Sequence, residues 1–276
     1  MRLQLEFLKP ELAFADLGIE HTIVVFGSTR LVEPSAARAE LAAAEGALRA
    51  ADGRAAAEAS QRVARARAAL DRSRYYEVGR ELGRIVGGCG CGPGDNRLVV
   101  MTGGGPGGME AANRGAHDVG AASVGLNIAL PLEQAPNPYV TPGLGFEFRY
   151  FGLRKLHFML RARALVVLPG GYGTLDELFE ALCLVQTRKR AALPIVLVGA
   201  AFWRRAIDFD FLVDEGMIDP ADRGLFTFAE TAEEAWQRIL GWYETRGLSI
   251  FDPPASPDPD DDARGPGADG EPPGWS

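Results

Sequence analysis

A chain of 276 residues with 47% hydrophobic content and a net charge of −8 has ample material for a buried core and no sign of the basic face that a nucleic acid needs. Its three cysteines, Cys89, Cys91 and Cys183, make no disulfide framework, and Cys89-Gly90-Cys91 lacks the C-x-x-C spacing, so a reducing cytoplasm is expected. Met1 to Pro10 contains charged residues and no leader-like apolar core, and no apolar run is long enough to span a bilayer, so neither a signal peptide nor a membrane partner is expected.

In chain order, a short helix is predicted around Glu11 to Leu17. Thr22 to Phe26 is a β-branched apolar run, which reads as a buried strand. Gly27-Ser28-Thr29-Arg30 follows it, at the carboxyl edge where open α/β sheets bind ligands. Residues 36–72 are rich in Ala, Arg and Glu and almost free of β-branched residues. Alanine favours helix, and Asp52-Gly53 is a natural break. The segment therefore reads as a helical hairpin or a long broken helix inserted after the first strand. Its arginines read as a solvated face. Contact between copies and cover for a site are both open roles for it. Tyr75 to Val86 is the crossover helix, stopped by Gly87-Gly88.

Leu98 to Met101 is the second strand. Thr102-Gly103-Gly104-Gly105-Pro106-Gly107-Gly108 comes next, then a helix to about Val119. Gly103, Gly105 and Gly108 satisfy G-x-G-x-x-G between strand and helix. The next strand, Ser123 to Ile128, ends near Asn127 and Pro131 without the acidic residue that would hold the ribose of NAD, which disfavours NAD. Residues 131–143 form a proline-rich loop, suited to one wall of a site. Gly145 to Tyr150 is a candidate strand, and Phe151-Gly152-Leu153-Arg154-Lys155 opens a helix. Arginine there suits a bidentate grip on phosphate or carboxylate.

Leu165 to Leu168 is the strand that leads into Pro169-Gly170-Gly171-Tyr172-Gly173-Thr174, followed by helical spacing at Leu175, Leu178, Phe179 and Leu182. Glycines there permit positive φ and close approach of a ligand. Successive N–H groups and a helix start make an anion-sized nest, with Thr174 as N-cap hydroxyl. Asp176 and Glu177 fall in the expected first turn. Thr174-Leu175-Asp176-Glu177 also reads as a capping box, so Glu177 is either a helix cap or a catalytic carboxylate. Were it only a cap, Asp176, Glu180 or Glu110 would be the carboxylate to examine.

Pro194 to Gly199 is a further strand, Phe202 to Met217 a helix, Leu225 to Phe228 a short strand, and Thr231 to Thr245 a final helix opened by a capping box at Thr231 and Glu234. Seven acidic residues against Arg264 place six of the eight excess negative charges after Ile250. Pro, Asp and Gly dominate there, so 251–276 is an expected disordered tail, and residues 1–250 read as one Rossmann-like domain. Strands alternating with helices give a doubly wound, mostly parallel α/β sheet. Only Lys9, Lys155 and Lys189 are available for a Schiff base, which disfavours pyridoxal phosphate. His21, His117 and His157 are scattered, so no metal is expected.

Pro-Gly-Gly-Tyr-Gly-Thr-Leu-Asp-Glu at 169–177 resembles the PGGxGTxxE signature of the LOG (LONELY GUY) family of cytokinin riboside 5′-monophosphate phosphoribohydrolases, whose relatives long carried the label possible lysine decarboxylase. The Gly-Ser pair at 27–28, Arg154-Lys155 and the turn at 103–108 are similar to the family too, with Glu110 in place of the last glycine of GGGxxGLMG and Phe151 in place of a methionine. The resemblance implies a Rossmann-like fold, a homodimer, no cofactor, and hydrolysis of a nucleoside 5′-monophosphate to free base and ribose 5-phosphate. It implies Arg154 and Glu177 as catalytic residues. It implies Gly27, Ser28, Gly103, Gly104, Gly105, Lys155, Gly170, Gly171, Tyr172, Gly173, Thr174 and Asp176 as the substrate-binding set. Compact members lack the 36–72 insert. Molybdenum-cofactor carrier proteins are similar to this family, so a non-catalytic binder of a nucleotide or phosphorylated cofactor is the alternative.

Overall fold

The computed structural model describes residues 1–92, 94–129 and 136–252. The expected acidic tail lies outside the described residues from 253 onward, as do 131–135 of the expected proline-rich wall.

Seven parallel strands form one sheet: β1 (His21–Phe26), β2 (Leu98–Thr102), β3 (Ser123–Ile128), β4 (Gly145–Phe148), β5 (Ala162–Val167), β6 (Ile195–Val198) and β7 (Thr227–Ala229), in the order β4-β3-β2-β1-β5-β6-β7. The chain steps outward from β1 to β4, then returns to β5 beside β1. Both neighbours of β1 are in parallel register, with Val24 opposite Met101 on one side and Leu165 on the other. This is the doubly wound, Rossmann-like arrangement read from the alternating pattern. The crevice between the β1 and β5 loops is its switch point.

Helices cover both faces, which is why β1, β2, β5 and β6 are buried along their whole length and apolar except at His21, Thr22, Thr102 and Arg163. Alternate residues of β1 enter opposite layers. Val24 and Phe26 join Met101, Leu126, Leu165 and Phe158 on one face. Ile23 and Val25 join Val100, Val166, Leu82 and Ile239 on the other.

The insert is a hairpin of α2 (Pro34–Arg49) and α3 (Gly53–Arg72), broken at Asp52-Gly53. Ala44, Val63 and Ala66 give it a small core of its own, flanked by Leu41 and Leu48. The crossover helix α4 (Arg74–Gly87) follows, then α5 (Gly108–Asp118) after β2.

Three elements differ from expectation. The first helix, α1, runs from Arg2 to Asp16 and carries Pro10 inside it, so it begins well before the short helix expected around Glu11 to Leu17. Tertiary contacts hold its extra turns: Phe14 is in the core, and Glu6 accepts hydrogen bonds from the backbone N–H of Arg149 (2.8 Å) and Tyr150 (3.0 Å). The predicted helix Phe202 to Met217 is two short helices, α8 (Ala200–Ala206) and α9 (Phe209–Asp214), because Ile207 is extended and the Asp208 carboxylate caps α9 at Phe211 N–H. The last strand starts at Thr227 instead of Leu225, since Pro220–Leu225 is a 3-10 helix with a capping box of Asp219 and Asp222. The final helix, α10 (Ala232–Glu244), has the expected Thr231 cap, its hydroxyl accepting from Glu234 N–H at 3.1 Å.

Candidate active site

Four segments meet above the carboxyl ends of the central strands and enclose a cavity of about 870 Å³. They are the β1 loop, the turn after β2, the start of α6 (Phe151–Leu160), and the turn from β5 into α7 (Tyr172–Gln186). Ser28 N–H donates to Pro169 O at 3.1 Å, and Ser28 O accepts from Gly108 N–H at 3.0 Å, so the β1 loop ties the two glycine-rich turns together.

The turn after β2 is held from beneath by buried polar groups. Thr102 hydroxyl donates to Asn113 Oδ1 at 2.7 Å and accepts from Gly104 N–H at 2.9 Å. Asn137 donates to Gly105 O (3.1 Å) and to Asn113 Oδ1 (3.0 Å). A buried network with its donors satisfied fixes one conformation. Gly104 and Gly107 have φ of +69° and +76°, which other L-residues rarely adopt.

The turn after β5 is built otherwise. Helix α7 begins at Tyr172 with Gly171 as its N-cap, and no side chain caps it. Thr174 is therefore not the N-cap predicted from the sequence; it is the third residue of the helix and is buried, its hydroxyl pressed against Gly170 where a Cβ would clash. None of Gly170, Gly171 and Gly173 has a positive φ. A Cβ on Gly171 or Gly173 would meet nothing within 4 Å. The leading N–H groups of α7 are thus left without intrahelical partners at the cavity wall, with the positive end of the helix dipole behind them.

With the helix starting at Tyr172, Glu177 is in its second turn, and the capping-box role falls away. Its carboxylate is 8% exposed and stands 3.6 Å from Arg154 Nη1. Burial pushes its pKa up to about 7, against the opposing pull of the Arg154 and Lys155 cations. Arg154, on α6, donates from Nε to Leu126 O at 2.7 Å and lies over the Phe158 ring at 5.0 Å. Gly103 leaves it room: a Cβ there would come within 2.6 Å of Arg154 Nη2. Burial lowers the pKa of Arg154 from the ordinary arginine value, with Glu177 opposing.

Of the residues picked out from the sequence, Gly27, Ser28, Gly103, Gly105, Arg154, Gly170, Gly171, Tyr172, Gly173, Thr174 and Glu177 line the cavity. Gly104 lies behind the wall, where a Cβ would strike Asn127 Oδ1. Lys155 and Asp176 stand to one side, joined by a 2.9 Å ion pair, with Glu180 on the same ammonium at 2.5 Å. Glu110 also lies off the wall, accepting from Tyr76 hydroxyl at 3.0 Å.

Several wall residues were not foreseen. Asn127, at the end of β3, is buried with its Oδ1 unpartnered. Its place at the carboxyl end of a strand was the available signal. Arg30 stands in the loop already noted, and Phe202 follows β6 in the same way. Arg72, from the end of α3, had no local signal. Among the described residues no three His, Cys, Asp or Glu side chains form a metal-sized group, and no helix is long and apolar enough to cross a membrane.

A family model described as possible lysine decarboxylase matches residues 109–239. A rice protein described as probable cytokinin riboside 5′-monophosphate phosphoribohydrolase LOG4 is 32% identical over 150 residues, 52% of this chain and 64% of that protein. The Arabidopsis thaliana protein described as cytokinin riboside 5′-monophosphate phosphoribohydrolase LOG3 is 30% identical over 146 residues, 51% of this chain and 66% of its own length. The chain thus spans just under two thirds of these curated relatives. A solved Moco carrier protein from Chlamydomonas reinhardtii aligns with a TM-score of 0.45 at 16% identity, over 82% of this chain and 99% of the other. Over residues 109–239, just under half of its length, this chain matches the possible lysine decarboxylase model, and the curated relatives it is similar to carry LOG names.

Proposed function

We propose that the protein hydrolyses the N-glycosidic bond of a nucleoside 5′-monophosphate to free base and ribose 5-phosphate. The observation that carries this reading is Glu177: a buried carboxylate with a pKa of about 7, facing Arg154 across a cavity whose other wall is the uncapped start of α7. Breaking the glycosidic bond builds positive charge at the anomeric carbon. A carboxylate beside that carbon stabilises the charge, and near its pKa it takes a proton from the attacking water. The 5′-phosphate sits on the N–H groups at Gly171 to Thr174. Gly27, Ser28 and the Gly103–Gly105 turn close around the nucleoside. Arg154 orients the substrate and steadies the departing base. Lys155, held by Asp176 and Glu180, acts on Glu177 through its charge and not by contact with the ligand. The relatives' names supply the substrate class. Homodimer assembly and a cytoplasmic setting belong to this reading through the family resemblance.

The test is release of adenine, or of an N6-substituted adenine, from the matching nucleoside monophosphate. Glu177→Gln is expected to bind the nucleotide and to turn it over about 10²–10⁴-fold more slowly, the span of a general acid–base group. Adenosine is expected to be a poor substrate. Parent-like turnover by Glu177→Gln, or adenosine cleaved as fast as AMP, overturns the reading; nucleotide binding with no base released makes the protein a binder.

A further inference from the structure

Buried asparagines stand around the turn after β2, and they are not alike. Asn113 bonds to Thr102, Ser123 and Asn137. Asn137 bonds to Gly105 O and accepts from Tyr139 N–H at 3.2 Å. Asn127 is 7% exposed and lines the cavity, and its Oδ1 has no partner among the described residues. The fold nonetheless keeps room for it: Gly104, at φ +69°, is where a Cβ would strike that oxygen. Burying an amide oxygen without a hydrogen bond costs stability, and an apolar side chain would fill the place without that cost. Folding therefore gains nothing from a polar group at 127, whereas a ligand in the cavity would.

Asn127 is tied to the reacting groups from two sides. Its chain neighbour Leu126 accepts from Arg154 Nε at 2.7 Å. Across from it, Gly103 leaves room for Arg154 Nη2 and the next residue, Gly104, leaves room for Asn127 Oδ1. Arg154 in turn stands 3.6 Å from Glu177. The carboxamide is thus a near neighbour of the pair that the proposed reaction puts at the anomeric carbon, and the next carbon of the sugar carries the 2′-hydroxyl. Asn127 also lies near the end of β3, the strand that follows a glycine-rich turn and its helix. From that position dinucleotide folds reach a ribose hydroxyl with an acidic side chain. A hydroxyl both donates and accepts, so it can meet either end of an amide. A neutral amide also adds no negative charge to a cavity that takes a phosphate.

We propose that Asn127 sets the sugar specificity: its carboxamide hydrogen-bonds the 2′-hydroxyl, so the site takes ribonucleotides in preference to 2′-deoxyribonucleotides. The proposal rests on the hydrolase reading for the placing of the sugar beside Arg154 and Glu177. A hydrogen bond to that hydroxyl strengthens as the anomeric carbon gains positive charge, so the preference extends to turnover as well as binding. It runs against the intrinsic chemistry, because the electron-withdrawing 2′-hydroxyl makes the glycosidic bond of a ribonucleotide the harder one to break.

The test compares AMP with 2′-dAMP in two ways: kcat/KM for adenine release, and calorimetric affinity on the Glu177→Gln background, which spares both nucleotides. The parent is expected to favour AMP by about 10–100-fold, the factor that one unpaired buried polar group corresponds to. Asn127→Leu keeps the bulk against Gly104 and removes the amide. It is expected to lower AMP by about that factor while 2′-dAMP holds or improves. Equal use of the two nucleotides by the parent, a ratio unmoved by Asn127→Leu, or an equal loss on both overturns the proposal; the last makes Asn127 a prop for the turn. Should Asn127→Leu show no cooperative urea transition, the side-chain NH2 resonances of Asn127 in the Glu177→Gln protein decide. A shift with AMP and little with 2′-dAMP supports the contact, and equal shifts or none overturn it. An Asn127-dependent preference in binding, with no adenine released by the parent, keeps the sugar contact and removes the hydrolase reading. Adenine release without that preference does the reverse, and no binding of either nucleotide overturns both.

Discussion

In the turn after β2, Gly104 and Gly107 hold φ near +70°, Cβ atoms there would strike Asn127 and Ser28, and Gly103 yields space to Arg154. In the turn after β5, Gly171 and Gly173 have ordinary φ, and Cβ atoms there would meet nothing. The first set of glycines is demanded by the fold, and the protein itself fills the space they leave. The second pair is not demanded by the fold, and the space stays open beside the start of α7. Glycine that folding does not require, at a cavity wall, is what close approach of a ligand to main-chain N–H groups requires. Two glycine-rich turns thus divide into a scaffold and a seat.

Substitutions can break this division or sharpen it. The largest expected effect is at Gly107. Gly107→Ala combines a forbidden φ with a clash against Ser28 O and is expected to cost about 3–5 kcal/mol in urea unfolding. A loss below about 1 kcal/mol would place the first turn with the second.

Next comes the charge between the turns. Folded Glu177 keeps its proton up to about pH 7, whereas the unfolded chain releases it near the ordinary 4.5. The folded state therefore holds more protons in that window. The stability this group contributes is full below about 4.5 and is lost as pH rises through about 7. Glu177→Gln behaves as the protonated form at every pH. Its stability relative to the parent is expected to grow by up to about 3 kcal/mol between pH 4 and pH 8. A pH-independent difference would mean that the carboxylate is not desolvated in solution. The same titration should appear as a rise in kcat/KM through about pH 7.

The smallest effect on stability is expected at Gly171 and Gly173. Gly171→Ala and Gly173→Ala should each change it by less than about 1 kcal/mol, Gly173→Ala in the stabilising direction because it lies within the helix. Both should weaken AMP binding. Unchanged AMP affinity in both would leave the second turn a simple connection.

The parallel sheet was legible because Ile23–Phe26, Leu98–Met101, Ala164–Leu168 and Ile195–Val198 are apolar runs that lead into turns, and the hairpin because residues 36–72 are so rich in alanine. The roles expected of Arg154 and Glu177 rested mainly on the family signature; the structure adds that both line the cavity, 3.6 Å apart. The start of α7 was misread, since Thr174-x-x-Glu177 fits a cap as well as it fits a second turn. The choice fell to Gly171, whose extended backbone lets the helix begin three residues earlier. The length of α1, the Ile207 break and the arrival of Arg72 at the wall depend on contacts far along the chain, which local periodicity does not encode.

The lacing of α1 onto α6 carries a consequence for synthesis. Glu11 pairs with Arg161 at 2.6 Å and stands 3.2 Å from the buried His157, and Glu6 holds the backbone ahead of α6, so the partners are 143 to 150 residues apart. Ribosomes add about 5–20 residues per second, so α1 emerges roughly 7–30 s before α6 exists. Through that interval its inward face, with Phe14 and Glu11, has no native surface to meet, while Leu5 and Leu12 stay largely exposed even after docking. The helix that steadies the arginine-bearing one is thus among the early pieces to be made and the late ones to be seated, and the nascent chain is most open to chaperones and to misassociation during that wait.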